Sequence, residues 1–380
     1  MTIRELNLEN FRNYERSVFT WAPRGNLIVG PNASGKTSIL EAISFLALTK
    51  SFSANSDAVV LSIGKEVFNV EGTFHSDGGL ESVVRVGYDG FRSEKVVWIN
   101  GGRVERLSSM IGKYPVVILS PEHSGITRGA PAERRRFVDL VICQSSSRYC
   151  ADLVQYRKVV KLRNRVLSSG FAGQSESPEV MESWNEQLLK YGSRLVSGRL
   201  RFVGEFGNHL KNAYSWLAGI DEEPTLSYMP FEEADPSLTE EKIKEMLQLR
   251  LRERAEEEMR IGSTLVGPHR DDFRLRINKL DVRRYASQGQ HKTFLVALKL
   301  AEFLYLQDIS GEKPLVLLDD VFGELDLNRS RKLLGILDKL GQTFVTSTDT
   351  VRLAELVDGK EDWREIHVGD GVTRCAETEV

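Results

Sequence analysis

The sequence is poor in cysteine and has no long hydrophobic run. Its three cysteines, Cys143, Cys150 and Cys375, form no CxxC pair and no even set, so we expect buried thiols in a reducing compartment. The longest apolar runs, such as residues 116–119, are far shorter than the ~18–20 residues of a membrane helix. The N-terminus lacks the apolar segment of a secretory signal. These absences predict a cytoplasmic protein without a membrane partner.

An excess of basic charge is missing as well, because 54 acidic residues outnumber 51 basic ones and the formal net charge is −3. Any nucleic-acid binding must therefore come from a local basic face. Hydrophobic residues at 41% and charged residues at 28% are ordinary for a globular chain, which excludes a disordered or collagen-like protein. A length of 380 residues predicts two or three domains of ~100–200 residues each.

Hydrophobic patterns divide the chain into three segments. The first is strand-rich, with a buried strand at residues 27–29 and a short edge strand at residues 3–8. The second has helical spacing and dense charge, and its third helix is predicted to end at residues 256–258. In the third, strands and helices alternate, which predicts an α/β core with a mainly parallel sheet. The segments are residues 1–133, 134–261 and 262–380.

A phosphate-binding loop is predicted directly after the first buried strand. The sequence GPNASGKT fits G-x-x-x-x-G-K-[ST] at every fixed position and precedes a helix. Its glycines let successive N–H groups point at an anion, and the helix N-terminus adds partial positive charge. The lysine can bridge the β- and γ-phosphates of ATP, and the threonine hydroxyl can bind Mg²⁺. The loop residues are Gly30, Pro31, Asn32, Ala33, Ser34, Gly35, Lys36 and Thr37.

Two adjacent carboxylates, Asp319 and Asp320, follow the apolar run at residues 315–318. They lie at the C-terminal end of a buried strand, where ligands bind in open α/β sheets. We predict that Asp319, on a strand neighbouring the loop, holds Mg²⁺ and that Asp320 orients or deprotonates the attacking water. The interval from Lys36 to Asp319 exceeds a typical domain of ~100–150 residues, so the nucleotide core is expected to close around the helical insertion.

A second anion pocket is predicted at Ser287-Gln288-Gly289-Gln290, at the start of an apolar helix. Each molecule already has a phosphate loop, so this pocket would serve the nucleotide of another copy. Two copies face to face would each offer Ser287 to the partner's γ-phosphate in a self-closing contact. ATP would then stabilise a homodimer and hydrolysis would release it. An ordinary capped helix is the alternative interpretation.

These motifs resemble the ABC-type ATPase heads of the SMC and RecF group and, within it, the RecF family. The similar motifs run from about residue 8 to residue 349. Asp320 stands where the wider ABC pattern has glutamate, which leaves the water-activating group open. Beside the loop, ASQGQ and LLDD, the similar motifs are Asn10-Phe11-Arg12-Asn13-Tyr14, Ser120-Pro121-Glu122, Gly129-Ala130-Pro131, Arg134-Arg135-Arg136-Phe137, Gly267-Pro268-His269-Arg270-Asp271-Asp272 and Glu324-Leu325-Asp326.

The resemblance implies an ABC/SMC-type ATPase head with an inserted helical lever-arm domain, using ATP and Mg²⁺. It implies a recombination mediator of DNA replication and repair that binds single-stranded DNA and single-strand/double-strand junctions. Such a protein works with RecR and RecO to promote RecA loading at gaps and SOS induction, and its ATP hydrolysis is slow and DNA-stimulated. By the same resemblance, Arg12 approaches the nucleotide, Ser287 to Gln290 act in trans, and Asp326 belongs to the loop after the metal-binding strand.

A basic cluster marks the predicted DNA-binding region. Between Arg128 and Arg165, ten basic residues are opposed by only three acidic ones. Such a cluster can neutralise phosphates, and no base-reading motif is present, so recognition of backbone and junction shape is expected. A solvated helix face with structural ion pairs is the alternative. The predicted DNA contacts are Arg134, Arg135, Arg136, Arg157, Lys158 and Lys161.

Three other functions share parts of this pattern. A transporter ATPase subunit would lack the long helical insertion and would need a membrane partner. A nuclease built on such a head would need a further domain, and too few residues follow Asp326 for one. A small-molecule kinase is disfavoured by the second helix-end pocket. The segment from Gly267 to Asp272 is expected to be structural, because one histidine and two adjacent aspartates do not define a metal site.

Overall fold

The computed structural model describes residues 1–171, 178–217, 222–231, 238–322, 327–348, 362–369 and 372–375. Asp326 and most of residues 168–178 therefore lie outside the described side chains. The chain divides into two compact units. Unit 1 comprises Met1–Ser124, Asn212–Gly219 and Lys292–Val380, and unit 2 comprises Gly125–Lys211 and Ile220–His291. In the described part of the chain, every helix is too short or too polar to span a membrane.

The helices and strands are numbered in chain order. The helices are α1 (Lys36–Leu48), α2 (Gly125–Arg128), α3 (Pro131–Ser145), α4 (Ser147–Phe171), α5 (Pro178–Leu217), α6 (Glu240–Glu253), α7 (Ala255–Ile261), α8 (Val282–Tyr285), α9 (Gln288–Ser310) and α10 (Leu327–Leu337). The strands are β1 (Thr2–Phe11), β2 (Tyr14–Thr20), β3 (Gly25–Val29), β4 (Val67–His75), β5 (Glu81–Asp89), β6 (Glu94–Ile99), β7 (Gly102–Arg103), β8 (Val116–Leu119), β9 (Pro224–Tyr228), β10 (Phe273–Ile277), β11 (Leu280–Asp281), β12 (Leu315–Asp319), β13 (Thr343–Ser347), β14 (Trp363–Gly369) and β15 (Val372–Cys375).

Unit 1 contains two sheets with α1 between them. The first sheet is antiparallel, in the order β2-β1-β4-β5-β6-β7. The second has the order β15-β14-β3-β13-β12-β8 and is parallel except for β15. Helix α1 contacts strands of both sheets, and residues 39–48 on it are buried. A helix covered on two sides needs apolar residues all round, which explains the sequence ILEAISFLAL.

Unit 2 is mainly helical and includes a small antiparallel sheet in the order β11-β10-β9. Phe273, Leu275 and Ile277 are buried on one face of β10, as their alternation predicts. Two buried ion pairs join its helices: Arg199 with Asp139 at 2.9 Å and Arg163 with Glu258 at 2.5 Å. The described cysteine side chains, those of Cys143 and Cys150, are buried and form no disulfide, as expected.

Several predicted elements differ from the structure. Strand β1 is not a short edge strand, because it has ten residues and pairs with both β2 and β4. The third helix of the middle segment is two helices that meet at Arg254, and Glu258 is buried in the second. The strand that ends in Asp319 does not neighbour β3, because β13 lies between them. Partners distant in sequence decide the pairing of β1 and the order of the strands, and local periodicity does not encode them.

Candidate nucleotide site

The predicted phosphate loop connects β3 to α1 and bends through Ala33 at φ 63° and Gly35 at φ 104°. Gly35 is the N-cap of α1 and provides no side-chain cap, so the first-turn N–H groups can bind an anion. Lys36 Nζ donates to the carbonyl oxygens of Gly30 at 2.9 Å and Pro31 at 2.7 Å. The loop therefore places a cation and a helix N-terminus around one concave turn.

The turn between β1 and β2 supports this loop. Asn13 Nδ2 donates to the carbonyl oxygen of Ser34 at 3.1 Å, and the Tyr14 hydroxyl donates to that of Gly35 at 3.2 Å. A Cβ on Gly35 would lie 2.5 Å from Asn13 Nδ2, so only glycine fits between the turn and the loop. Burial raises the pKa of Tyr14 well above its ordinary value, so this hydroxyl remains a donor at neutral pH.

The carboxylate of Asp319 lies opposite Thr37. The Thr37 hydroxyl is 2.9 Å from Asp319 Oδ1 and 3.1 Å from Oδ2. Thr346, at the end of the intervening strand β13, donates to Asp319 Oδ1 at 2.8 Å and accepts from the backbone N–H of Asp320 at 3.0 Å. Asp320 is held at φ 51°. Since β3, β13 and β12 end at one edge of the sheet, residues 282 positions apart in the chain meet there.

A cavity of about 650 Å³ extends from the loop and is lined by both aspartates. Its other wall is apolar, formed by Val59, Leu61 and Ile63. Val59 is 56% exposed and Ile63 fully exposed, and together with Leu61 they form an apolar patch beside the loop. The volume suits a ligand of nucleotide size, with phosphates at the loop and a flat apolar group at the aliphatic wall.

Arg12, which also lines the cavity, is held by a buried carboxylate. Its Nε and one terminal nitrogen donate to Glu41 at 2.8 and 2.7 Å. Glu41 is 1% exposed and also accepts from the hydroxyls of Ser51 and Ser53, both at 2.5 Å. A bidentate arginine–carboxylate pair fixes the guanidinium plane, so Arg12 is oriented before any ligand arrives.

The charged groups that line the cavity shift each other's pKa values, because they are partly shielded from water. Burial lowers the pKa of Lys36, and the carboxylates of Asp320 and Asp319 oppose that shift. Burial raises the pKa of Asp319, the hydroxyls of Thr346 and Thr37 lower it, and the charges of Asp320 and Glu41 raise it again. An acidic pair at this edge attracts a cation, which relieves the repulsion between the two carboxylates.

The sequence matches the family model described as the RecF/RecN/SMC N terminal domain over residues 2–360. It is 40% identical to the DNA replication and repair protein RecF of Chloroherpeton thalassium over 359 residues, which cover 94% of this chain and 97% of the relative. The chain belongs to the RecF family. The RecF of Salinibacter ruber is 39% identical over 351 residues, covering 92% of this chain and 85% of that protein.

Solved structures agree with this family. A structure of the recombination mediator protein RecF-ATPrS in the RecFOR pathway has a TM-score of 0.88 and 31% identity, covering 99% of this chain and 98% of that chain. The Smc head domain of Pyrococcus furiosus, bound to the C-terminal domain of ScpA, has a TM-score of 0.56 and 16% identity, covering 98% and 95% of the two chains. The fold is that of an ABC/SMC-type ATPase head, as expected.

In this RecF-family chain, Ser287 is the N-cap of α9. Its hydroxyl accepts from the backbone N–H of Gln290 at 3.2 Å, and Gln290 Oε1 accepts from the backbone N–H of Ser287 at 2.9 Å. This reciprocal arrangement is a capping box. The Gln290 amide also donates to Glu222 at 2.7 Å. Ser287 and Gln288 are exposed, so the cap presents its surface to solvent.

The predicted DNA contacts divide into buried and exposed residues. Arg134 is 5% exposed and forms a bidentate pair with Asp272 at 2.9 and 3.0 Å. Arg135 donates to the carbonyl oxygen of Asp271 at 2.6 Å. The Arg134 guanidinium is thus occupied by a carboxylate within the fold. The remaining four predicted contacts are exposed: Arg136, Arg157, Lys158 and Lys161.

Sequence reasoning missed four residues of the site and its aliphatic wall. Asn13 and Tyr14 lie within the motif at residues 10–14, but the motif does not indicate that they support the loop. Thr346 lacked any signal, because its importance comes from the position of β13. Glu41 did have a sequence signal, because it is a carboxylate within a mostly apolar helix, and buried charges are paired or functional. The segment from Gly267 to Asp272 has the structural role expected, through the Arg134 pair and the contacts of His269 described below.

Proposed function

We propose that this protein is an ATP-dependent DNA-binding recombination mediator in DNA replication and repair. The carrying observation is the convergence of the phosphate loop, Thr37 and Asp319 at the edge of the parallel sheet in a RecF-family chain. The relatives are named as DNA replication and repair proteins, and a related structure as a recombination mediator in the RecFOR pathway. This agreement between the site and the family supports the proposal.

ATP fits the cavity of unit 1 by its chemistry. The N–H groups of the loop and Lys36 would hold the phosphates, and the aliphatic wall would cover the base. Among the described residues, the buried Ser34 Oγ has no hydrogen-bond partner, as expected for a group that serves a ligand. Arg12 would contact the nucleotide from the fixed position given by Glu41.

Mg²⁺ suits the oxygen atoms at the strand edge. Thr37 and Asp319 would hold it, because a hydroxyl and a carboxylate are the oxygen donors it prefers. The ion supplies charge neutralisation to the phosphates when bound. Asp320, on the same edge, is placed to orient or deprotonate the attacking water. Thr346 positions both aspartates, since it bonds the side chain of one and the backbone of the other.

Hydrolysis completes a switch between two oligomeric states in this proposal. ATP would bring two copies together, with Ser287, Gln288, Gly289 and Gln290 of one facing the γ-phosphate held by the other. Asp326, assigned to the same trans contact, lies outside the described residues. Slow turnover would then release the dimer. The exposure of Ser287 and Gln288 supports this role. Because the capping box already satisfies the N–H groups of Ser287 and Gln290, the partner's γ-phosphate would replace those bonds.

The partners follow from the family. DNA at gaps and single-strand/double-strand junctions would bind through Arg136, Arg157, Lys158 and Lys161, with Arg135 contributing its remaining donors. RecR and RecO would act with the protein to promote RecA loading and SOS induction. A protein with these partners would act in the cytoplasm.

Gapped DNA tests this function directly. We expect ATP to increase the affinity for gapped DNA over blunt duplex, and gapped DNA to increase ATP hydrolysis. Fluorescence anisotropy with labelled DNA and a phosphate-release assay measure the two effects. Lys36→Met, which removes the loop cation, should abolish the ATP effect and leave nucleotide-free DNA binding unchanged. ATP-independent binding combined with DNA-independent hydrolysis would exclude the proposal.

A further inference from the structure

Unit 2 contains a second cavity, of about 510 Å³, that the nucleotide chemistry does not use. It is lined by β10, β11 and α8, the hairpin and short helix that precede Ser287. Four arginines of the β10–α8 segment line it beside the buried Arg134 of α3: Arg274, Arg276, Arg283 and Arg284. Between Phe273 and Ser287 they and Lys279 are opposed only by Asp281, although the whole chain is acidic.

Within the described residues, these four arginines have no polar side-chain partner, unlike the arginines that are buried in unit 2. Within the ranges that the structure describes, none of their side chains makes a hydrogen bond or an ion pair. Arg134, Arg163 and Arg199 are instead buried and paired with carboxylates. Guanidinium groups pair readily with carboxylates and phosphates, so these four are available to bind an anion of another molecule.

The backbone places the arginines in an open, concave arrangement. Arg274 and Arg276 point away from the buried face of β10, which is occupied by Phe273 and its alternating neighbours. Arg274, Arg283 and Arg284 are exposed, and Arg276 is half-buried. Alternate residues of a strand are about 6.6 Å apart, so the side chains reach separate charges of an extended ligand rather than one ion.

Nearby carboxylates do little to offset this charge. Asp272, which also lines the cavity, is neutralised by its bidentate pair with Arg134. Asp281 is the remaining carboxylate in the lining. Four unpaired guanidinium groups beside one free carboxylate attract a polyanion, and the attraction weakens as salt increases.

The lining favours nucleic acid over an acidic protein segment. Tyr285 is 65% exposed beside the arginines, and an exposed ring beside cations is the stacking surface that single-stranded nucleic acid uses. Arginine also matches phosphate with two parallel hydrogen bonds. A lone inorganic phosphate would engage only some of the four groups.

We propose that Arg274, Arg276, Arg283 and Arg284 form a binding site for the phosphodiester backbone of DNA. The inference rests on the proposed DNA binding and adds to it residues of β10 and α8 that are distinct from the α3–α4 residues named above. It assigns a DNA contact to the segment that leads directly into Ser287, so backbone binding and the α9 cap share one continuous stretch of chain.

The test compares charge-removing pairs in the full-length protein. The pairs are Arg274→Ala with Arg276→Ala, and Arg283→Ala with Arg284→Ala. Affinity for labelled gapped DNA, with ATP and Mg²⁺, is measured across a series of salt concentrations. Each phosphate contact contributes about 0.9 to the slope of log affinity against log salt, so each pair should reduce the slope by about 2.

Matched variants separate a lost contact from a lost fold. Arg274→Lys with Arg276→Lys keeps the charge and should retain most of the slope. Lys244→Ala with Arg252→Ala removes two exposed charges from α6 and should leave the slope as in the wild type. Thermal unfolding midpoints of all variants should agree closely, because the arginine side chains make no hydrogen bond or ion pair within the described residues.

The outcomes distinguish this site from the proposed function. If the wild-type protein binds DNA and both alanine pairs show the same salt slope as the α6 control, the proposed site is overturned. The proposed DNA binding itself would then still stand. Wild-type protein that binds no DNA at low salt overturns both. Polyglutamate that competes as well as DNA of equal charge shows an acidic-protein site and overturns the DNA assignment. Reduced slopes in the alanine pairs, together with poor competition by polyglutamate, confirm it.

Discussion

At the scale of single residues, Thr346 connects the two aspartates of the nucleotide site. Its hydroxyl donates to Asp319 and accepts from the backbone of Asp320, and the residue is fully buried. A buried polar group left without its partner costs about 1–3 kcal/mol. One hydroxyl therefore controls the placement of the proposed metal ligand and of the proposed water-orienting group.

Thr346→Val is expected to lower ATP hydrolysis about tenfold or more, since the isosteric valine leaves both aspartates without this bond. Thr346→Ser keeps the hydroxyl and should stay close to the wild type. Phosphate release under saturating ATP measures the effect, and urea unfolding monitors the fold. Hydrolysis by the valine variant at the wild-type rate would show that Thr346 does not position the site.

At the scale of elements, the loop from Gly267 to Asp272 contains two titratable groups with opposite shifts. Burial raises the pKa of Asp271 to about 6, while Tyr228, Arg199 and Arg135 oppose the shift. Burial lowers the pKa of His269 to about 4, and the carbonyl of Thr264 opposes that shift. The His269 Nε2–H donates to Thr264 O at 3.1 Å, so Nδ1 accepts from the Tyr156 hydroxyl at 2.6 Å.

These shifts make opposite contributions to stability as the pH changes. Above about pH 4 the native state still holds a proton on Asp271 that the unfolded state has lost. The contribution of Asp271 to the free energy of unfolding therefore falls as the pH rises towards about 6. Neutral His269 contributes stability that is present above about pH 6.5 and is lost as the pH falls towards about 4. Each is worth about 3 kcal/mol at about 1.4 kcal/mol per pKa unit.

The two contributions should therefore nearly cancel in the wild type and separate in variants. Asp271→Asn leaves the histidine contribution, so stability should rise more steeply between about pH 4 and pH 6 than in the wild type. His269→Gln leaves the aspartate contribution, so the slope should change in the opposite direction. Urea-unfolding free energies across this range give both slopes. Equal slopes in all three proteins would contradict the assignment.

Elements are also where sequence reasoning succeeded and failed most clearly. The phosphate loop was predictable because eight consecutive residues encode its shape. The strand before Asp319 was predictable because a buried strand is continuously apolar. The position of β13 between β3 and β12 was not predictable, because strand order depends on contacts between distant segments. The double pairing of β1 was hidden for the same reason, since a central antiparallel strand and an edge strand share one alternating pattern.

At the scale of the whole molecule, the proposed dimer can be tested at the N-cap of α9. Aspartate is as good an N-cap as serine, so Ser287→Asp should preserve the helix while its charge repels a partner's γ-phosphate. We expect ATP to shift wild-type protein to a dimer in analytical ultracentrifugation, and Ser287→Asp to remain a monomer that still binds ATP. Ser287→Asn, an uncharged cap, is the matched control and should dimerise. A dimer of the aspartate variant with wild-type affinity would refute the trans contact.

The position of β3 has a consequence for biosynthesis. Both neighbours of β3, β13 and β14, come from residues 343–347 and 363–369. The antiparallel sheet, built from residues 2–103, can assemble while the ribosome is still translating. At about 5–20 residues per second, the apolar strand β3 waits on the order of half a minute for its neighbours. Until both neighbouring strands have been synthesised, the nascent chain thus exposes an unpaired, aggregation-prone edge.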